Sequence, residues 1–263
     1  MATHRFDGSV RPSCEQDRGV THNHLLGGRV RLLQPEKGYR VAIDPVLLAA
    51  VVDASPGHAV LDVGCGVGAA ALCLATRLRG ISVVGIDVQD ELVELAQANA
   101  EANGLSDRAT FRAGNIHDPP SGLAPNSFDQ VITNPPFGVP GRGRIPVEAS
   151  KARASVEDPM GFEGWLRSCL RMLRPKGRIT LVHRADRLDE ILSVLRRGAG
   201  EIVVFPLWPG PSAASAKRVI IRARKGVRAP LKMAPGLVLH GNKGTYTPET
   251  EAVLRHGEAL NLS

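Results

Sequence analysis

Residues 128–137 read F-D-Q-V-I-T-N-P-P-F, and their types and spacing suit recognition of a planar amine. Phe128, Val131 and Ile132 make a short apolar strand that stops at Asn134-Pro135-Pro136. Two successive prolines have no N–H to give to a sheet ladder. The residue before a proline is held extended. A strand therefore runs into a stiff turn that presents one amide and one aromatic ring. At the carboxyl edge of a parallel sheet, such a turn lies where ligands bind. The Asn134 side-chain oxygen can accept one hydrogen bond, and the Pro135 carbonyl, outside any ladder, a second. Two acceptors aimed at one –NH2 group direct its lone pair toward an electrophile, while Phe137 stacks on the ring that carries it. A proline-stiffened turn with Phe137 in the core is the structural alternative, and four residues alone do not separate the two.

A second motif, V-L-D-V-G-C-G-V-G-A, spans residues 60–69. Gly64, Gly66 and Gly68 let the backbone turn tightly and let a ligand approach where a Cβ would intrude. The helix that follows offers free N–H groups to an anionic group. Asp62 either organises this loop or meets a ligand ammonium through water. The glycines nearly fit the dinucleotide pattern G-x-G-x-x-A, so a nicotinamide cofactor has to be weighed. Asp62, just ahead of the loop, would repel a pyrophosphate. Asp87 ends the next strand in G-I-D, placed to accept from both hydroxyls of a ribose, with Val88 beside it. Asp87 alone fits a dinucleotide; Asp87 together with N-P-P-F does not. Gln34, Tyr39 and Arg40, in the loop Q-P-E-K-G-Y-R, either close over the cofactor or simply shape that loop. Cys65 reads as a small packed residue, and His183 as a core or surface histidine rather than a general base.

These motifs need an alternating scaffold, and the chain has one. Strands are expected at residues 58–63, 81–86, 109–113, 128–133, 178–183, 202–205 and 218–224. Helices are expected at 69–78, 91–102, 162–173 and 188–197. Such alternation predicts a parallel sheet with helices on both faces. The expected fold class is α/β: a Rossmann-like seven-stranded sheet with helices on both faces and short N- and C-terminal additions. Residues 1–20 read as a disordered arm and 21–56 as an extension holding a hairpin strand, the closing loop and a helix. Asp44 is expected to cap that helix, with Pro45 at its first position. Residues 57–225 form the catalytic domain, with a loop at 207–216. Residues 226–263 add a strand at 237–240 and a helix starting near Thr247-Pro248.

The chain has 263 residues, 43% hydrophobic, and a net charge of +7. That charge favours an anionic partner, most commonly nucleic acid. Its four cysteines, Cys14, Cys65, Cys73 and Cys169, lack metal or redox spacing and read as reduced thiols of a cytosolic protein. Neither a secretory signal nor a membrane span is visible, and no metal is expected. Between Ile202 and Pro248 there is no acid, and Lys217, Arg218, Arg222, Arg224, Lys225, Arg228 and Lys232 fall there. This run reads as a phosphate-binding surface or a solvated face. Arg142, Arg144, Lys151 and Arg153 flank the N-P-P-F turn and are candidates to meet RNA near the reacting base.

The glycine loop, the acid at 87 and N-P-P-F, in this order, resemble the S-adenosylmethionine-dependent methyltransferases of the Rossmann-like class. G-Y-R-V-A-I-D-P-V-L-L-A-A at 38–50, L-L-G-G at 25–28, R-P-K-G at 174–177, R-A-D at 184–186 and P-G-L-V-L-H at 235–240 with the following Y-T-P-E narrow the likeness. They look like the bacterial tRNA adenine-N6 methyltransferases that modify valine tRNA beside its anticodon. The resemblance implies S-adenosyl-L-methionine as cofactor, tRNA or another structured RNA as partner, and an exocyclic nucleobase amine as acceptor. It also implies that Asn115 and Ile116 meet the cofactor adenine. Asn115 departs from the Asp usual there, with Asp118 as an alternative, and Phe137 departs from the Tyr usual in the tRNA enzymes. Phe is also found in guanine-N2 enzymes of rRNA, and protein glutamine methyltransferases share N-P-P with a following aromatic, so both remain as alternatives.

Overall fold

The computed structural model describes residues 19–38, 40–135 and 161–262. An N-terminal hairpin pairs β1 (Val20–Leu25) with β2 (Val30–Pro35) in antiparallel register across a 3-10 turn. After it come α1 (Asp44–Ala50), β3 (Ala59–Val63), α2 (Ala69–Arg77), β4 (Ser82–Asp87), α3 (Asp90–Ala102), β5 (Ala109–Ala113) and β6 (Phe128–Thr133). Past the undescribed segment follow α4 (Gly161–Met172), β7 (Leu173–Arg184), α5 (Leu188–Leu195), β8 (Ala199–Trp208) and β9 (Arg218–Lys225). The chain closes with β10 (Lys232–Met233), β11 (Leu237–Val238) and α6 (Pro248–His256).

Among the described residues the main sheet runs β10-β8-β9-β7-β6-β3-β4-β5, with β11 also on β8. The pairs β3–β4, β4–β5, β3–β6 and β6–β7 are parallel, and β9 lies antiparallel between β7 and β8. The seven strands expected from 57–225 are all present, and the sheet is the Rossmann-like α/β one. The tail extends it by two short strands.

Successive strand residues point to opposite faces, and the core divides accordingly. Val60, Ile132, Val182 and Ile220 pack with α1, α2 and α3; Leu61, Val131, Leu181 and Ile221 pack with α4 and α5. Burial on both faces explains why these strands read as continuous apolar runs. α3 shows how a helix is set. Leu92, Val93, Ala96 and Ala100 fall on one buried face, and Asp90 and Glu91 suit its positive N-terminus. In α6 the Thr247 side chain accepts from the Thr250 N–H at 3.2 Å, Pro248 opens the helix, and left-handed Gly257 ends it.

The hairpin is held by two asparagines one turn apart, Asn99 on α3 and Asn103 at its C-cap. Asn99 Oδ1 accepts from Leu33 N–H (2.6 Å), while Asn99 Nδ2 donates to the Leu33 carbonyl (2.9 Å). Asn103 does the same for Arg31, at 2.8 and 2.7 Å. Four helical residues rise about 6 Å and two strand residues about 6.8 Å, so the two amides match the free edge of β2. α6 packs on the 3-10 turn and α1, and Leu260 N–H donates to the Ala50 carbonyl at 3.0 Å. The two additions thus join on one face of the sheet.

Several local expectations are corrected. Asp44 is not the cap: Ile43 holds that position, and Asp44 Oδ2 meets Arg218 Nε at 3.3 Å. A carboxylate with a cationic partner across the sheet has less need of the helix N–H groups. Leu207 and Trp208 continue β8 instead of opening a loop, because they pair with Arg218 and with β11. Residues 174–177 form a bulge inside β7, with Lys176 at φ 65°, where a clean break was expected. The strand expected at 237–240 ends at Val238, and β10 had no sequence signal. The arm expected at 1–20 lies outside the described residues except for Gly19 and Val20, and Val20 begins β1.

Candidate functional site

The carboxyl ends of β3, β4 and β6 meet at the middle of the sheet, where the strand order reverses direction along the chain. Gly64, Gly66 and Gly68 have φ of 72°, 53° and 84°. All three lie in the left-handed region, where other residues are strained. A Cβ on Gly68 would come within 2.7 Å of the Phe111 ring. The loop is pinned from the next strand: Gly64 and Cys65 N–H donate to the Ile86 carbonyl at 2.8 and 3.0 Å. Asn99 Nδ2 also donates to the Val67 carbonyl at 3.0 Å, tying the loop to α3 and through it to β2.

Asp87 stands at the end of β4, its carboxylate fixed from both sides. Oδ2 accepts from Gly66 N–H at 2.9 Å and Oδ1 from Gln89 N–H at 3.0 Å. Burial holds its pKa above the usual carboxylate value, and these backbone donors offset part of the rise. Each oxygen keeps a lone pair to accept a ligand hydroxyl. Val88, next in the chain, leaves 58% of its surface exposed, an apolar platform for a flat ring. This held carboxylate, the apolar platform and the opened glycine loop fit S-adenosylmethionine. Asn115 is exposed at the end of β5, with its Oδ1 accepting from His117 N–H at 2.9 Å, so the turn fixes its side chain. Ile116 is buried behind it.

Asp62 is 2% exposed beneath the loop. Burial raises its pKa to about 7; the Ala71 N–H lowers it, and the nearby Asp87 charge raises it. Its Oδ2 has no hydrogen-bond partner. Asn134 follows β6, and its Oδ1 is likewise buried without a partner. An orphaned buried acceptor costs about 1–3 kcal/mol, which a donor brought by a ligand would recover. Pro135 is buried at the same turn. Phe137, Arg142, Arg144, Lys151 and Arg153 lie outside the described residues, as does Tyr39.

Gln34 and Arg40 are used within the extension. Gln34 Oε1 accepts from Val41 N–H at 2.8 Å, and its Nε2 donates to Asn23 at 2.8 Å. Arg40 Nη1 donates to Thr21 Oγ1 at 3.1 Å. Both therefore shape the 34–41 loop. His183 is fully buried with its ring 4.9 Å from that of Phe162, and desolvation lowers its pKa to about 4. It is a neutral core histidine. Cys65, Cys73 and Cys169 are buried thiols with pKa values pushed up by burial, to about 12 for Cys73.

One wall of the site was missed. Trp165 on α4 lies over the glycine loop: a Cβ on Gly64 would be 3.2 Å from its ring. Its Nε1 donates to Thr133 Oγ1 at 3.1 Å, and Thr133 donates to the Val63 carbonyl at 2.8 Å. Trp165 thus links the ends of β3 and β6. The only sequence hint was its rarity, since the chain has two tryptophans.

The basic run is split by strand direction. Lys217 and Arg218 stand at the carboxyl edge, opposite Arg184, whereas Arg224 pairs with Arg178 near the start of β7. Arg222 is half-buried, and desolvation lowers its pKa. Arg224 is held by Glu201 at 2.8 Å, and Arg228 is exposed beyond the opposite edge. Among the described residues there is no cluster of three metal-ligating side chains, and no helix is long and apolar enough to cross a membrane.

Residues 54–199 match the methyltransferase domain family. A predicted O-methyltransferase of Agrobacterium tumefaciens superposes with a TM-score of 0.69 at 24% identity, over 83% of this chain and 98% of its own, a likeness of fold. An rRNA N(6)-adenosine-methyltransferase of Caenorhabditis elegans is 25% identical over 74% of this chain and 76% of its own. A tRNA1(Val) (adenine(37)-N6)-methyltransferase of Porphyromonas gingivalis is 33% identical over 80% of this chain and 85% of its own. With the glycine loop, the held carboxylate of Asp87 and the orphaned amide at one sheet edge, the chain is an S-adenosylmethionine-dependent methyltransferase and belongs to the family of the tRNA1(Val) adenine-N6 methyltransferases.

Proposed function

We propose that the protein methylates the N6 amine of an adenine in tRNA, beside the anticodon. The observation that carries this reading is the buried, unpartnered Asn134 Oδ1 at the end of β6. S-adenosylmethionine, when bound, supplies a methyl group on a sulfonium, already a strong electrophile. The chain's own work is to hold and orient the two reactants. Asp87 would accept from the ribose hydroxyls, Val88 would offer an apolar surface to the adenine, and the amide of Asn115 would serve its ring edge. Asn134 Oδ1 and the Pro135 carbonyl accept from the target amine. Both bonds strengthen as the nitrogen gains positive character, so they favour the transition state over the ground state. Phe137 holds the base, which must be out of its stack to be reached.

The test incubates the protein with S-adenosylmethionine and, in separate reactions, unmodified tRNA, unmodified rRNA and a bacterial protein extract, followed by mass spectrometry of nucleosides and peptides. N6-methyladenosine in tRNA, absent with Asn134→Ala, is the expected result. N2-methylguanosine in rRNA, or methylated glutamine in protein with both RNAs untouched, would replace this reading with one of its two alternatives.

A further inference from the structure

The described part of the site accounts for one amine and one cofactor, but an anticodon loop must also be held by its neighbouring nucleotides. We infer that the 239–247 hairpin, together with Lys217, forms the surface that holds RNA beside the site; this rests on the reading of the substrate as tRNA. β8 is parallel to β7, since each lies antiparallel to β9. β11 is parallel to β8 in turn, with Val238 opposite Trp208. The chain after Val238 therefore leaves the sheet at the same edge as Asn134. There it folds back at once: His240 bridges to Tyr246, Gly241 N–H donates to the Thr245 carbonyl at 2.8 Å, and Thr247 N–H returns to the Leu239 carbonyl at 3.0 Å.

Three features of this hairpin suit RNA. Its tip, Gly241-Asn242-Lys243-Gly244, is small and polar, and Lys243 is exposed. Its base is a ring pair, His240 stacked on Tyr246 with centroids 4.8 Å apart and planes 27° from parallel. The pair is held in place, since His240 Nδ1 bonds the Pro209 carbonyl at 3.0 Å. A fixed ring costs little entropy to stack against, and every base has a face to offer it. Between the hairpin and Asn134, the edge carries Arg184, Lys217 and Arg218. Asp186 and Asp44 hold the two arginines by ion pairs, while Lys217 is exposed and its carbonyl accepts from Ala185 N–H at 3.2 Å. At about 4.8 Å per strand, β11, on the outer side of β8, lies about 19 Å from β6, a span that nucleotides flanking the reacting base can bridge. Glu249, in the first turn of α6, is the acid nearest to the hairpin in sequence.

A matched reversal of charge tests the surface. Lys217→Glu with Lys243→Glu changes the carboxyl edge. Arg196→Glu with Arg228→Glu changes the charge equally at the opposite edge, where both residues are exposed. Gel-shift titrations with tRNA at several salt concentrations should show the first pair binding at least about tenfold more weakly, its salt slope shallower by about 1.4. The second pair should bind like the unaltered protein. Tyr246→Leu should weaken binding about tenfold through lost stacking. Cofactor affinity by calorimetry and the melting temperature should hold in both charge-reversed proteins. Equal weakening by both pairs, or unaltered binding by the first, overturns the surface while the assignment of tRNA stands. If the unaltered protein binds and methylates no tRNA, the substrate reading itself falls and the surface with it.

Discussion

β3, β4 and β6 end side by side at the carboxyl edge, whereas β9 runs the other way and spreads its arginines from that edge to the opposite one. In the first region, neighbours in sequence remain neighbours in function. The residues after each strand end are the ones proposed to meet the ligand, so short motifs name them. In the second, an alternating basic strand is cut into pieces with different jobs. Arg218 meets Asp44, Arg224 meets Glu201, and Arg222 is half-buried. A run of charge is thus a poor guide to a surface once it lies along a strand that crosses the sheet.

The largest effect in the first region is expected at Asn134. Asn134→Ala should lower the methyl-transfer rate by about 10²–10³, the usual cost of one oriented transition-state hydrogen bond. Cofactor affinity by calorimetry should hardly move. Turnover near that of the unaltered protein would make the turn a structural one. Next in size is Asp87→Ala, which removes the charged acceptor for the ribose and frees Gly66 and Gln89 N–H. A charge-assisted bond is worth about 1.5–3 kcal/mol, so S-adenosylmethionine affinity should fall about 10–100-fold. An unchanged affinity would remove Asp87 from the cofactor site.

pH separates two buried groups, Asp62 at the end of β3 and His183 on β7, by sign. Asp62 titrates near 7 when folded and near 3.8 when unfolded. Between these values the folded state binds more protons, so stability falls as pH rises. The change from pH 6 to pH 8 is about 1.4 kcal/mol, one pKa unit's worth. His183, lowered to about 4 from 6.5, acts oppositely: the unfolded state binds more protons there, and stability is lost as pH falls from about 6.5 to 4. Denaturant melts of Asp62→Asn should flatten the alkaline limb alone, and those of His183→Gln the acid limb alone. A limb that persists in its own variant assigns that slope to another group. The smallest effect is expected at Trp165→Phe, which keeps a ring over Gly64 but drops the bond to Thr133. Thr133 still donates to Val63, so no donor is orphaned and the cost should be about 0.5–1.5 kcal/mol in chemical denaturation. A loss of several kcal/mol would mean that the indole packs irreplaceably between β3 and β6.

Sequence by itself determined the alternating scaffold, the glycine loop, the place of Asp87 at the end of β4 and the stop of β6 before Asn134-Pro135. Each of these rests on local rules: continuous apolar strand runs alternating with helical ones, positive φ at glycine, the missing N–H of proline, and the adjacency of a strand end to its loop. Only the tertiary structure decided the rest. It placed Trp165 over Gly64, gave Asp44 to Arg218 instead of its own helix, and set Asn99 and Asn103 against the edge of β2. It also buried His183 and brought the 239–247 hairpin to the edge that bears Asn134. These pairings join residues far apart in the chain. Their geometry follows from strand order and direction, which depend on how the whole sheet packs and not on any one stretch of residues.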